Sequence, residues 1–314
     1  MLVTIVIPFY DEIDYLEEAV QSVVDQDLNT FEILAVCNQE KLPGPLENRA
    51  PIINYPFLRY LFEPKRGSAH ARNLGLKEAK GTWVQFLDVD DILLPGKIKH
   101  QMVQADADVV VSPHVFAFLN GKKVPSAWAP KDIWSALLAS ELGSTSSMLW
   151  KKNTLLQLGG WNTAYYSNQE YELLFRILKA GYSVAAEDTI LTMVRERASG
   201  SITKTTRHRP LAGIQLREEI WQYLISQGLN TPMRFHSFQK FTFKNLRALY
   251  ITDAKKALEI HARFFSDSRF KPEIKAIPFY KTMYRLLGFG RTEKFIQHYR
   301  YLRDHLFKSW PANV

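Results

Sequence analysis

A chain of 314 residues, 46% hydrophobic and 23% charged, has apolar material for one large domain or two smaller ones and the composition of an ordinary soluble globular protein. No window reaches the run of about 18 apolar residues that a membrane span needs, and no basic region precedes the first apolar stretch, so a signal peptide is not expected. The single cysteine, Cys37, excludes an intrachain disulfide and a cysteine-based zinc site, and the expected setting is reducing and cytoplasmic. The net charge of +8 is uneven: residues 201–314 hold 21 Lys and Arg against 8 Asp and Glu, a net +13, which leaves −5 for residues 1–200. A basic tail of this kind meets nucleic acid, anionic lipid or acidic glycans, or is a solvated helical surface with no special partner.

Residues 2–8 predict a strand. Residues 14–27 predict a helix, with Leu16, Ala19, Val20, Val23 and Val24 at helical spacing and Asp14 placed to cap its start. Further strands are predicted at 31–37 and 58–62, separated by an irregular run from Glu40 to Pro56 that is rich in proline. Gly67 to Lys80 predicts a helix stopped by Gly81, with Ala69, Leu74 and Leu76 facing inward. Buried strands are predicted next at 82–87 and 108–112. Strands alternating with helices predict an α/β fold, a mostly parallel sheet covered on both faces. Ligands bind such sheets at the carboxyl ends of the strands, where Asp11, Asn38, Asp88 and Asp90 fall.

The run Thr82-Trp83-Val84-Gln85-Phe86-Leu87 ends abruptly in Asp88-Val89-Asp90-Asp91. In extended chain alternate residues share a face, so Asp88 and Asp90 are expected to point together while Val89 turns to the core. Oxygen-only ligation by two carboxylates suits Mg²⁺ or Mn²⁺, with water and substrate phosphate oxygens completing the shell. Taken alone, a D-x-D is equally a solvated turn in which Asp91 caps the next element.

Four motifs in order resemble the family 2 glycosyltransferases of the GT-A fold. Val3-Thr4-Ile5-Val6-Ile7-Pro8-Phe9-Tyr10-Asp11-Glu12 resembles the opening strand, and Gly67-Ser68-Ala69-His70-Ala71-Arg72-Asn73 a second signature. The Asp88–Asp91 segment with Leu94-Pro95 resembles the metal-binding stretch, and Gly159-Gly160-Trp161 with Asn168-Gln169-Glu170-Tyr171-Glu172 the acceptor-side motif. The resemblance spans residues 2–200 and implies a GT-A, Rossmann-like sheet with a C-terminal helical extension. It further implies inverting transfer of a sugar, hexosyl or N-acetylhexosaminyl, from a nucleotide-diphosphate sugar to a glycan or lipid-linked glycan acceptor, as in surface polysaccharide or lipopolysaccharide synthesis. The implied divisions are a nucleotide-sugar half at 1–112, an acceptor half at 113–205 and a basic, aromatic helical region at 206–314.

The residues implied at the site match the chemistry. Asp90, with Asp88 beside it, would hold Mn²⁺ or Mg²⁺ against the charge gathering on the leaving diphosphate. Pro8, Tyr10, Asp11, Asn38, Arg66, Arg72 and Asp88 are the candidate donor contacts, with surface or sheet-edge packing the alternative for the two arginines. Glu170 is the candidate base: the family's usual acidic pair reads Gln169-Glu170 here, so only Glu170 can serve, unless it merely favours the helix dipole in a first turn. Glu172, about 200° further round the helix, is expected on another face. Trp161 and Tyr171 are expected either to stack on sugar rings or to pack in the core.

After the second strand the family's usual pair of acids is replaced by Val36-Cys37-Asn38-Gln39, which weakens the inference of a uridine donor. Trp128, Trp134 and an expected strand at Ser144–Met148 are candidate pocket walls. Residues 195–208 read as a lid over the donor or as a linker. Beyond Pro210, helices are predicted at 211–228, 238–250, 252–265 and 291–307, and the amphipathic 279–289 suits a peripheral contact with anionic membrane; nucleic acid is not an expected partner. Two other readings stay open, a nucleotidyltransferase and a catalytically silent binding protein on the same fold.

Overall fold

In a computed structural model of the chain, which describes residues 2–41, 55–197, 209–266, 270–272, 277 and 279–306, the first strand β1 (Val3–Phe9) is buried along its whole length. Its run of β-branched residues suits a strand covered on both faces. After it come α1 (Ile13–Val24), β2 (Phe31–Cys37), β3 (Leu58–Phe62), α2 (Ser68–Glu78) and β4 (Trp83–Phe86). β1 pairs in parallel with β2 from Val3↔Phe31 to Phe9↔Cys37, and with β4 from Val3↔Trp83 to Val6↔Phe86. Leu16, Ala19, Val20 and Val23 of α1 are buried, as their spacing requires. Asp14 does not cap this helix; Glu12 occupies the N-cap position. On the sheet α2 lies so close to β1 that a Cβ on Gly75 would stand 2.3 Å from Val6 Cγ1.

The chain continues through β5 (Ile92–Leu93), α3 (Lys97–Met102), β6 (Val109–Val111), β7 (Val115–Ala117), β8 (Lys123–Pro125) and α4 (Ile133–Ala139). Then come β9 (Leu149–Lys151), α5 (Lys152–Gln157), α6 (Gln169–Lys179), β10 (Val184–Ala186) and β11 (Thr192–Arg195). Seven strands form one sheet in the order β10-β6-β9-β4-β1-β2-β3, parallel except at β9, which runs against both neighbours. A second sheet, β5-β11-β7-β8, was not foreseen, because its strands are two to four residues long. The expected strand at Ser144–Met148 is also corrected: Thr145–Ser147 forms a 3₁₀ turn, and the strand begins at Leu149. Ser147 N–H and Ser147 Oγ–H both donate to Ser144 O, a local arrangement rather than a ladder.

Residues Met1–Thr205 and Thr206–Val314 form two compact units. The described residues of the second form α7 (Arg209–Ser226), α8 (Pro232–Thr252), α9 (Ala254–Phe264) and α10 (Tyr280–Leu306), the last broken at Gly288, whose φ is 72°. Thr231 and Asp253 cap α8 and α9 by accepting Arg234 N–H and Lys256 N–H. Their core gathers around Phe243, Leu246, Ile260, Tyr280 and Phe289. Among the described residues no helix is long and apolar enough to cross a membrane.

In the first unit His114 is buried before β7, its ring 4.5 Å from that of Phe116 and neither ring nitrogen hydrogen-bonded. Burial holds this imidazole down to about 4. Because the folded value lies below the ordinary 6.5, the stability His114 leaves intact above pH 6.5 is lost as the pH falls toward 4. Urea unfolding is therefore expected to show the wild type losing about 2 kcal/mol more than His114→Phe between pH 7 and pH 5. Equal losses would show that His114 does not titrate against folding.

Candidate active site

The acids that end β4 are held by a turn, not by an extended strand. Asp91 N–H donates to Asp88 O at 2.9 Å, so Asp88 and Asp90 approach each other across this turn instead of by alternation. Val89 is buried, as expected. Asp91 is the anchor: its carboxylate accepts Ser146 Oγ–H at 2.6 Å and Arg195 N–H at 3.3 Å. Ser146 Oγ in turn accepts Asp88 N–H at 3.0 Å, which ties the acid loop to the 3₁₀ turn before β9. Burial above all pushes the Asp91 carboxyl well above the ordinary range, with Asp88 and Asp90 adding to the effect.

Asp90 faces a second layer of charge. Its Oδ2 lies 3.7 Å from Arg197 Nε, and Arg197 Nη2 donates to Glu12 Oε1 at 2.8 Å. Burial, then the neighbouring Asp88 carboxylate, push Asp90 up to about 6. Burial acts on Glu12 in the same sense, but the Tyr10 N–H and the Arg197 guanidinium outweigh it and hold that carboxyl below its ordinary value. Arg195 and Arg197 both lie over the Tyr15 ring of α1, at 5.2 and 5.4 Å, and Arg195 Nε donates to Asp90 O. Glu12, Ser146, Arg195 and Arg197 were not singled out from the sequence. Only the placement of two arginines after an apolar run hinted at the last pair. The expected lid at 195–208 begins with these described residues; 198–208 lie outside the described ones, as does most of the 40–56 run.

Asp88 pairs with Arg72 at 2.5 Å. Arg72 projects from α2 and is 4% exposed, its guanidinium 4.7 Å above the Trp161 ring. Its Nη1 donates to Gln169 Oε1 at 2.7 Å, at the first residue of α6. Ser68 Oγ–H donates to the same oxygen at 3.2 Å, and Gln169 Nε2 donates to Tyr165 O at 2.5 Å. Glu170, the next residue, lies in the first turn of α6 and is half-buried. Glu172 is on another face, buried and held by Arg176 at 2.8 Å.

The remaining candidates divide. At the end of β1, Tyr10 is exposed and lies 5.9 Å beneath the Arg66 guanidinium, so these two share one rim; Asp11 is exposed beside them and Pro8 is buried within the strand. Asn38 requires a correction as a base-edge contact. Its Nδ2 donates to Glu63 O and Lys65 O at 3.0 and 2.6 Å and its Oδ1 accepts Gly67 N–H at 2.7 Å, which commits the amide to bracing the turn into α2. Gly67, at φ 126°, suits that turn because it has no Cβ. Trp161 and Tyr171 are corrected as sugar-stacking residues. Trp161 is 2% exposed between Phe86, Trp150 and Arg72, and Tyr171 OH bonds Leu142 N–H and Gly143 O inside the first unit. Large rings beside a polar group are drawn into the core by their area.

Among the described residues no group of three or more His, Cys, Asp or Glu converges as a complete metal cage. A hard divalent ion does not need one, since one or two carboxylates with water and substrate phosphates suffice. The donor set fits that case: the Asp88 carboxylate lies close enough to push Asp90 upward, and Arg197 Nε stands back at 3.7 Å from the Asp90 carboxylate.

The largely parallel sheet flanked by helices matches the fold of solved GT-A glycosyltransferases. S. aureus TarS 1–349, determined in complex with UDP-GlcNAc, superposes with a TM-score of 0.55 at 17% identity, over 100% of this chain and 93% of that one. The mannosyltransferase PcManGT from Pyrobaculum calidifontis, in complex with GDP-Man and Mn²⁺, gives 0.51 at 18% identity, over 99% and 88%. At such identities the likeness shows the fold. In sequence, the chain is 25% identical to an uncharacterized glycosyltransferase of Haemophilus influenzae over 67% of its own length and 74% of that protein's. It is 27% identical to an uncharacterized glycosyltransferase of Rickettsia felis over 82% of its length, but spans only 44% of that protein. The model of the family described as glycosyl transferase family 2 matches residues 4–165, and the chain belongs to that family.

Proposed function

We propose that the chain is a metal-dependent, inverting glycosyltransferase that moves a sugar from a nucleoside-diphosphate sugar to an acceptor hydroxyl in glycan synthesis. The observation that supports this most is the bridge Asp88–Arg72–Gln169, which sets the acids after β4 against the helix whose next residue is Glu170. Asp90 and Asp88 are the residues that hold the divalent ion, Mn²⁺ or Mg²⁺. When bound, such an ion neutralises charge on the departing diphosphate. Tyr10 and Arg66 form the rim that meets the nucleoside and diphosphate, with Asp11 beside them. Glu170 takes the proton from the attacking hydroxyl, and its half-buried place in a helix first turn, where the dipole favours negative charge, suits that role.

Arg72 acts through position. It is too buried to close on a diphosphate, and it fixes the direction of Asp88 instead. The donor class rests on chemistry shared by UDP-GlcNAc and GDP-Man, the ligands of TarS and PcManGT. Hexosyl or N-acetylhexosaminyl transfer to a glycan or lipid-linked glycan is the specific form proposed.

Thermal melts against UDP-, GDP-, CMP- and dTDP-sugars, with and without Mn²⁺, are expected to show a metal-dependent stabilisation by one nucleotide class that Asp90→Ala abolishes. Glu170→Gln is expected to keep that stabilisation and to lower kcat by about 10²- to 10⁴-fold, the range for loss of a positioned base. Nucleotide binding without turnover toward water or any acceptor would replace this reading with a silent binding protein. Chemical denaturation of Arg72→Ala is expected to show a loss of about 2–3 kcal/mol, since it strands a charged hydrogen bond that is only partly open to water. Arg72→Lys is expected to recover part of it, because an ammonium can pair with Asp88 but has no fork for Gln169.

A further inference from the structure

The open face of α10 carries charge of one sign. Between Phe279 and Leu302 the basic residues are Lys281, Arg285, Arg291, Lys294 and Arg300, and all five are exposed. The one acid in that stretch, Glu293, is buried and bound to Arg247 at 2.6 Å and Tyr280 OH at 2.5 Å. Set among the basic residues are large apolar side chains turned outward: Phe279 at 74% exposed, Leu286 at 71%, Phe295 at 53% and Tyr299 at 59%.

Helical geometry orders these on each side of the break at Gly288. Phe279 and Leu286, seven residues apart, fall on one side of the first segment, and Arg291, Phe295 and Tyr299 recur at intervals of four along the second. Tyr280, Phe289 and Ile296 are buried instead, in the core of the second unit. The neighbouring helices differ: α7 exposes Glu219, α9 exposes Glu259, and the open face of α8 carries His236, Lys240 and Lys244 between apolar residues found only near its ends.

We propose that this face of α10 docks the protein on an anionic phospholipid surface. The aromatic and leucine side chains enter the headgroup boundary while the basic side chains meet lipid phosphates. A second copy of this chain is a poor occupant, because a self-complementary contact would set these cations against one another. Nucleic acid would use the charges and the rings but leaves Leu286 without a partner. Exposure and charge within the second unit carry this docking, independently of the catalytic reading.

The test is co-sedimentation of the full chain with vesicles of phosphatidylcholine alone and of phosphatidylcholine mixed with phosphatidylglycerol, at low and high salt. Binding is expected on the mixed vesicles, weakened by salt and weak on phosphatidylcholine. Lys281→Gln and Arg285→Gln are each expected to lower the partition about fivefold. Leu286→Asp and Phe295→Asp are expected to abolish it with melting temperature and circular dichroism unchanged, since both positions are exposed. Equal binding to both vesicles, no binding at low salt, or binding indifferent to the two Asp variants would overturn the proposal. So would a dimer that Leu286→Asp dissociates, or RNA uptake indifferent to Leu286→Asp, in the absence of vesicle binding.

Discussion

The arrangement of the first unit turns on one buried cation. Arg72 is an ionised group with almost no access to water, a position that is unfavourable unless its donors are taken up. Its two terminal nitrogens meet that demand, on Asp88 at the end of β4 and Gln169 at the start of α6, while the Trp161 ring lies beneath the guanidinium and Nε has no hydrogen-bond partner among the described residues. Each partner is then constrained in turn. Trp161 is fixed by its backbone to the Asn73 side chain at 2.8 Å in both directions, one residue along α2 from Arg72. A Cβ on Gly160 would stand 2.5 Å from Asn73 Oδ1, so the glycine before Trp161 is part of the same fit. The Gly-Gly-Trp run and the α2 motif, far apart in sequence, are two halves of one packing arrangement.

Much of the sheet was legible because its strands are long and apolar. β1 and β2 run for seven residues each without a break in burial worth the name, and α1 has a clean apolar stripe. The second sheet was not legible, since a strand such as Ile92–Leu93 is too short to show a period. Within the site, the acids after β4 and the arginine of α2 were legible by residue type. What their side chains do was only partly so. Asn38 looked able to read a base because its amide offers both a donor and an acceptor, yet the backbone of the turn into α2 takes these three hydrogen bonds. Trp161 and Tyr171 could be assigned to sugar or to core only by burial, a property of tertiary packing. Glu12, Arg195 and Arg197 were missed for the same reason: their meeting joins residues some 185 apart in the chain.

The departure at Gln169 becomes intelligible in these terms. An acid at that position would stand against Arg72 as a second carboxylate and compete with Asp88 for its charge. The amide gives the guanidinium a neutral acceptor instead, and its other end donates to Tyr165 O, so both of its polar atoms are placed and the start of α6 is held. Among the described residues the carboxylate that pairs with Arg72 is that of Asp88. The substitution of a neutral amide for an acid therefore leaves the Asp88 carboxylate oriented and the helix start anchored, with Glu170 the next residue of that helix. Loss of an acid from the pair is compatible with the chemistry proposed above, because the position that lost it serves the scaffold and the position that kept it is the one proposed as the base.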